Sequence, residues 1–156
     1  MKILKVFCVL ALMISLAVAG YAAEGKRTAK IISLDGKAEV MLAGEKSWIP
    51  ATADMTLKEG DTLKTSSDSF ALLNVDGIGQ TATVEVKENA QLLLSELMLD
   101  PANGAHRTLL DLASGEILIK AQKVHGEDSK FEVKTPTSVV GVRGTTFAVK
   151  VEAVQE

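Results

Sequence analysis

The chain has 156 residues, of which 47% are apolar, 24% are charged and 4% are aromatic, and its formal net charge is −3. An acidic balance disfavours a nucleic-acid partner, because phosphate binding needs a basic surface. The only cysteine, Cys8, lies in the first ten residues, so the rest of the chain can form neither a disulfide nor a thiolate metal site.

At the start, Met1-Lys2-Ile3-Leu4-Lys5 carries two positive charges, and an uncharged apolar run follows from Val6 to Gly20. That is the pattern of a secretory signal peptide, and the run is too short to span a bilayer, which takes roughly twenty residues. Gly20 and Ala22 stand at −3 and −1 of a cleavage site after Ala22, with Ala23 as the alternative, so the expected division is a signal peptide over 1–22 and a β domain over 23–156. Loss of Lys2 and Lys5 leaves 15 basic against 20 acidic residues, a net charge of −5.

Beyond Thr28 the chain alternates short β-branched runs with turn residues, and no stretch keeps a 3.6-residue period. Strands are expected at Ala29–Leu34, Ala38–Leu42, Thr62–Thr65, Phe70–Val75, Thr81–Lys87 and Gln91–Leu97, then at Thr108–Leu112, Glu116–Ala121, Lys130–Thr135, Ser138–Val142 and Thr145–Glu152. Asp35-Gly36, Glu59-Gly60-Asp61, Asp76-Gly77, Asn103-Gly104 and Ser114-Gly115 supply the turns between them. Gln91–Leu99 is ambiguous, since Leu, Glu and Met favour helices, and it is read as a strand. Asp100-Pro101-Ala102-Asn103-Gly104 is an expected exposed loop and, with His125–Ser129, an expected site of proteolytic nicking. Strands at intervals of about ten residues point to an all-β single domain of short stacked strands, β-solenoid-like or a twisted sandwich.

Several residues then fall into a family pattern. Gly36-x-x-x-Val40, Trp48, Leu57-x-x-Gly60-Asp61-x-Leu63-x-Thr65 and Ser69-x-Ala71-x-Leu73 are followed by Leu110-x-Leu112-x-x-Gly115-x-Ile117. The close is Phe131-x-Val133-x-Thr135-Pro136, then Val142-Arg143-Gly144-Thr145-x-Phe147-x-Val149-x-Val151. Over Gly36 to Val151 this resembles a FecR domain, which implies an all-β domain in the bacterial periplasm or at its surface. The family's best-known members carry a cytoplasmic sigma-factor-binding segment before a membrane span. Here five residues precede the apolar run, so anti-sigma activity is not carried over. The segment from Gly77 to Ala90 is longer than the hairpin the resemblance suggests, and reads as a longer hairpin or, alternatively, as a local insertion that carries specificity.

Read on their own chemistry, Pro136 ends a strand by removing a donor, and Gly144 gives a sharp turn before Thr145. Arg143 is the expected buried or half-buried guanidinium that satisfies carbonyls or a carboxylate at that corner, with ligand contact as the alternative. Trp48 is an expected core or rim anchor, and Gly60-Asp61 an expected turn in which the carboxylate bonds backbone.

Other motifs fail on context. Gly77-Ile78-Gly79-Gln80-Thr81-Ala82 fits a dinucleotide fingerprint, but an alternating strand follows where a helix N-terminus is needed. Asn74-Val75-Asp76-Gly77 lacks both ends of a calcium loop, with Leu72 at the first ligand position. His106 and His125 have no second His or Cys at ligand spacing, so no metal is expected. No nucleophile elbow is present, and no cofactor or catalysis is expected. The chain therefore reads as a periplasmic or secreted, non-catalytic binding or sensory module that contacts a protein partner in the envelope. The alternative is a structural or self-associating scaffold domain with glycan as a ligand.

Overall fold

The computed structural model describes residues 25–76, 81–122, 128–142 and 146–152. All regular structure among them is β, and no helix there is long and apolar enough to cross a membrane. Among the described residues thirteen strands, numbered in chain order, form one curled sheet with two lobes. In the first lobe β12 (Val139–Val142) pairs with β11 (Lys130–Lys134), then follow β10 (His106–Ala121), β9 (Gln91–Leu99), β6 (Thr62–Thr65), β3 (Ala38–Met41) and β4 (Trp48–Pro50). In the second, β13 (Thr146–Val151) pairs with the far half of β10, followed by β8 (Ala82–Val86), β7 (Phe70–Val75), β2 (Ala29–Asp35) and β5 (Thr56–Leu57). The two-residue β1 (Gly25–Lys26) lies on the end of β9. Every pair is antiparallel except β10 with β11.

The lobes share β10, and the reason lies in its sequence. Thr108, Leu110 and Leu112 are buried, and so are Ile117 and Ile119, but the jump from 112 to 117 is odd. A period of two would turn the second set outward. One unpaired residue, Ala113, restores the phase: Leu112 faces Leu92 while Ser114 faces Gln91. Gly115 follows at φ +85°, the left-handed conformation that a glycine bulge uses to bend a strand. Two separate strands with a turn at Ser114-Gly115 were expected, and the structure corrects this to one strand of 16 residues kinked there.

The same device explains the ambiguous segment. Leu92, Leu94 and Leu97 all point inward because Ser95 is an extra residue, with Leu94 facing Leu110 and Glu96 facing Leu109. Inward leucines two and then three apart mix the strand and helix periods, which is why Gln91–Leu99 carries both signals. On β2 the extra residue is Ile32, which is exposed, and Leu34 returns to the core. Main-chain groups of Ile31 are taken up there by the loop before β5, with Ile31 N–H donating to Met55 (2.9 Å) and Asp54 N–H to Ile31 (2.7 Å). At the surface of that loop Lys30 hydrogen-bonds the exposed Asp54 carboxyl and, by that bond first and its charge second, holds it below its ordinary range.

Inward side chains of both lobes meet in one core: Val40, Leu63, Leu92 and Phe131 from the first, Ile31, Leu73, Val84 and Ile119 from the second. Each such side chain contributes about 1.5–3 kcal/mol on burial. The strands β1, β4 and β5 were not expected from sequence; at two or three residues they are too short to show a period. The 100–104 loop is a turn closed by Asp100 N–H to Ala105 and Gly104 N–H to Asp100, both 2.8 Å, with its Pro101–Gly104 tip exposed.

A Cβ at Gly115 would stand 2.4 Å from Ala90 Cα, whereas one at Gly104, also at positive φ, meets nothing within 4 Å. Gly104→Ala should therefore cost about 1–2 kcal/mol of left-handed strain. Gly115→Ala should add a backbone clash and cost at least about 3 kcal/mol. Urea denaturation of both variants checks the difference.

Candidate functional site

The turn between β1 and β2 places Arg27 at a corner where both lobes end. Its side chain is 5% exposed. It is bidentate to Asp76, with Nε 2.5 Å from Oδ1 and Nη2 on Oδ2, and its Nη1 reaches the carbonyls of Met98 (3.2 Å) and Arg107 (3.0 Å) and the hydroxyl of Thr108 (2.9 Å). Thr81 donates its hydroxyl to the same carboxylate. Asp76 follows β7 at φ +73°, and its N–H donates to Thr28 (2.9 Å). One ion pair thus ties the start of β2, the end of β7, β9 and β10. Arg143, the guanidinium expected at a corner, lies with Gly144 and Thr145 outside the described residues, as do Ala22, Ala23 and His125. Arg27 escaped the sequence reading because Lys26-Arg27 looks like a solvated basic pair. Asp76 gave a partial signal in Asp76-Gly77.

Among the other singled-out residues, Asp61 is buried and bonds backbone on two segments. Its Oδ1 accepts from Ala43 N–H and its Oδ2 from Lys58 N–H, each at 2.8 Å. Gly60 sits beside it at φ +89°, with its N–H donating to Leu94 (2.8 Å). Trp48 stands half-buried on the edge strand β4, on the outer face with Met41, and Lys64 Nζ lies 5.6 Å over its ring. Phe147 is half-buried against the core, opposite Ile119 on β10.

Thr135 and Pro136 build the turn between β11 and β12. Thr135 N–H donates to the Ser138 carbonyl (2.8 Å), and the Thr135 hydroxyl accepts from Ser138 N–H (3.0 Å), while Pro136 and Thr137 are exposed at the tip. The strand they launch is a free edge: among the described residues β12 pairs only with β11. Val139 is 62% and Val140 37% exposed, so two of the six exposed large apolar side chains among the described residues are neighbours here.

His106 Nδ1 is shielded from solvent and 3.9 Å from Asp76 Oδ2, beyond hydrogen-bond reach, and the nearby Thr81 hydroxyl donates to the carboxylate rather than to the imidazole. No group of three His, Cys, Asp or Glu able to hold a metal converges among the described residues. Two surface depressions, of about 560 and 460 Å3, are lined by mixed charge: Glu85, Lys87, Glu116 and Lys150 in the first, Asp100, Arg107 and Asp128 in the second.

The FecR protein family model matches residues 61–155, more than half of the chain. The chain belongs to the FecR protein family. The match begins at Asp61, so the resemblance noted over Gly36 to Gly60 lies ahead of the matched span. No curated protein and no solved structure shows a match to the chain. Membership of the FecR family associates the chain with signalling or sensing at the cell envelope.

In this FecR protein Asp61→Asn should be costly despite its shape, because the amide turns one acceptor into a donor facing a partly buried N–H. A loss of about 1–3 kcal/mol is expected, and thermal unfolding of the variant measures it.

Proposed function

We propose that this FecR protein is an exported, non-catalytic envelope module that senses or signals by binding another protein. Export is supported by the charged start, the apolar run and the small residues before Ala22 and Ala23, which make 23–156 the working domain. A non-catalytic role is supported by the arrangement at His106, where the carboxylate is already committed to Arg27 and Thr81.

The observation that carries the binding role is the edge strand β12. Natural sheets protect their edges with charge, proline, shortness or a bulge. The other edges follow that rule: β4 contains Pro50, β5 has two residues, and β13 contains Lys150, which pairs with Glu152 at 3.6 Å. From Thr135 to Val142 there is no charge at all. An edge with two exposed valines and free backbone groups is a template for an incoming strand.

A photo-crosslinking residue placed at Val139 in the living bacterium tests this. It should give one discrete heavier adduct with another protein, whereas the same residue at Glu39, on the far side of that lobe, should give none. Absence of an adduct from Val139, and from Trp48, Phe70 and Met98 as well, would refute the binding role. An adduct containing two copies of this chain would favour the self-associating scaffold.

A further inference from the structure

Gly141 stands in the middle of β12, where neither its backbone nor its packing calls for glycine. The glycines at 36, 44, 60, 104 and 115 all have positive φ, and those at 36, 60 and 115 have a neighbour within 2.8 Å of where a Cβ would be. Gly141 has neither property, and a Cβ there would meet nothing within 4 Å. Glycine costs about 0.5–1 kcal/mol relative to alanine in a strand, and it marks places where another backbone or side chain approaches closely. Among the described residues, nothing lies against the bare face of Gly141.

The ladder shows what could approach. Thr135 N–H bonds the Ser138 carbonyl, so these two form a hydrogen-bonded antiparallel pair. By alternation the next such pairs are Val133 with Val140 and Phe131 with Val142. The N–H and C=O of Val139 and Gly141 therefore point away from β11, toward the empty side of the edge. Val140 shares the inner face with Phe131 and Val133 yet remains 37% exposed, so its flank toward the edge is uncovered. On the outer face Gly141 lies beside Glu132, which has no ion-pair partner among the described residues.

Resting on the binding role argued above, we propose that β12 takes an extended segment of a partner protein as an added strand. The segment alternates, with apolar side chains covering Val140 on the inner face and a lysine or arginine lying across the bare surface of Gly141 to reach Glu132. The residue opposite Gly141 exchanges both main-chain hydrogen bonds with it, which sets the register. A second copy of this chain fits less well. Its own β12 brings no cation for Glu132, and the chain as a whole is acidic.

Two synthetic peptides, TVTVKVTV and TVTVEVTV, test the assignment against the full isotope-labelled chain by amide NMR. The lysine peptide should shift amides of β11 and β12 only and bind at least tenfold more tightly than the glutamate peptide. Glu132→Gln should remove that tenfold preference. Gly141→Pro, which deletes an outward donor and leaves the β11 ladder intact, should abolish binding. Equal binding of the two peptides, no binding at millimolar concentration, or shifts centred elsewhere would overturn the proposal. Concentration-dependent shifts at β12 without peptide would assign the edge to a second copy and also overturn it. If the peptides fail while crosslinks to another protein persist from Trp48, Phe70 or Met98, only the edge assignment falls and the binding role stands.

Discussion

A guanidinium shut away from water must find its acceptors inside the protein, and Arg27 finds them on segments that are far apart in the chain: Asp76, Met98, Arg107 and Thr108. Taking a charge out of water costs several kcal/mol, and an ion pair offsets this only when its geometry is good and the remaining donors are satisfied. At this corner the carboxylate is gripped at both oxygens, and two carbonyls and a hydroxyl accept from Nη1. The consequence is positional. The end of β7, the entry to β2 and the crossing region of β9 and β10 are held at one point, and the curled sheet stays closed over its core.

How much of this was legible in the sequence depends on period. Strands that alternate without interruption, such as Phe131 to Thr135 and Phe147 to Val151, are where the residue pattern puts them, and the structure buries or half-buries those side chains. The bulges blurred the rest. Ser95, Ala113 and Ile32 each shift the phase by one, so one strand looked partly helical and another looked like two. A two-residue strand has no period to read. The corner charge was illegible for a different reason: whether an arginine is buried depends on four segments meeting, and nothing local in Gly25-Lys26-Arg27-Thr28 reports that. The turn at Gly60-Asp61 was readable, because an aspartate beside a glycine bonds backbone wherever it lies.

The candidate site follows from the frame. The clamp at Arg27 and the kink at Gly115 spend the polar and conformational specialities of the chain on holding the two lobes together. What is left over is an uncharged edge, Thr135 to Val142, projecting from the first lobe on a turn that Thr135 and Pro136 make. An edge strand paired with β11 is already extended before a partner arrives, so little ordering cost falls on this side of the interface. That arrangement suits an envelope module of the FecR family that reads a segment of another protein.

The account rests on the corner pair acting as a brace, and a double-mutant cycle tests it most directly. Arg27→Met, Asp76→Leu and the double variant are compared by urea denaturation. Either single change should cost about 3–5 kcal/mol by leaving a buried charge alone, and the double variant should cost clearly less than the sum. Single losses below about 1 kcal/mol that simply add would contradict the account.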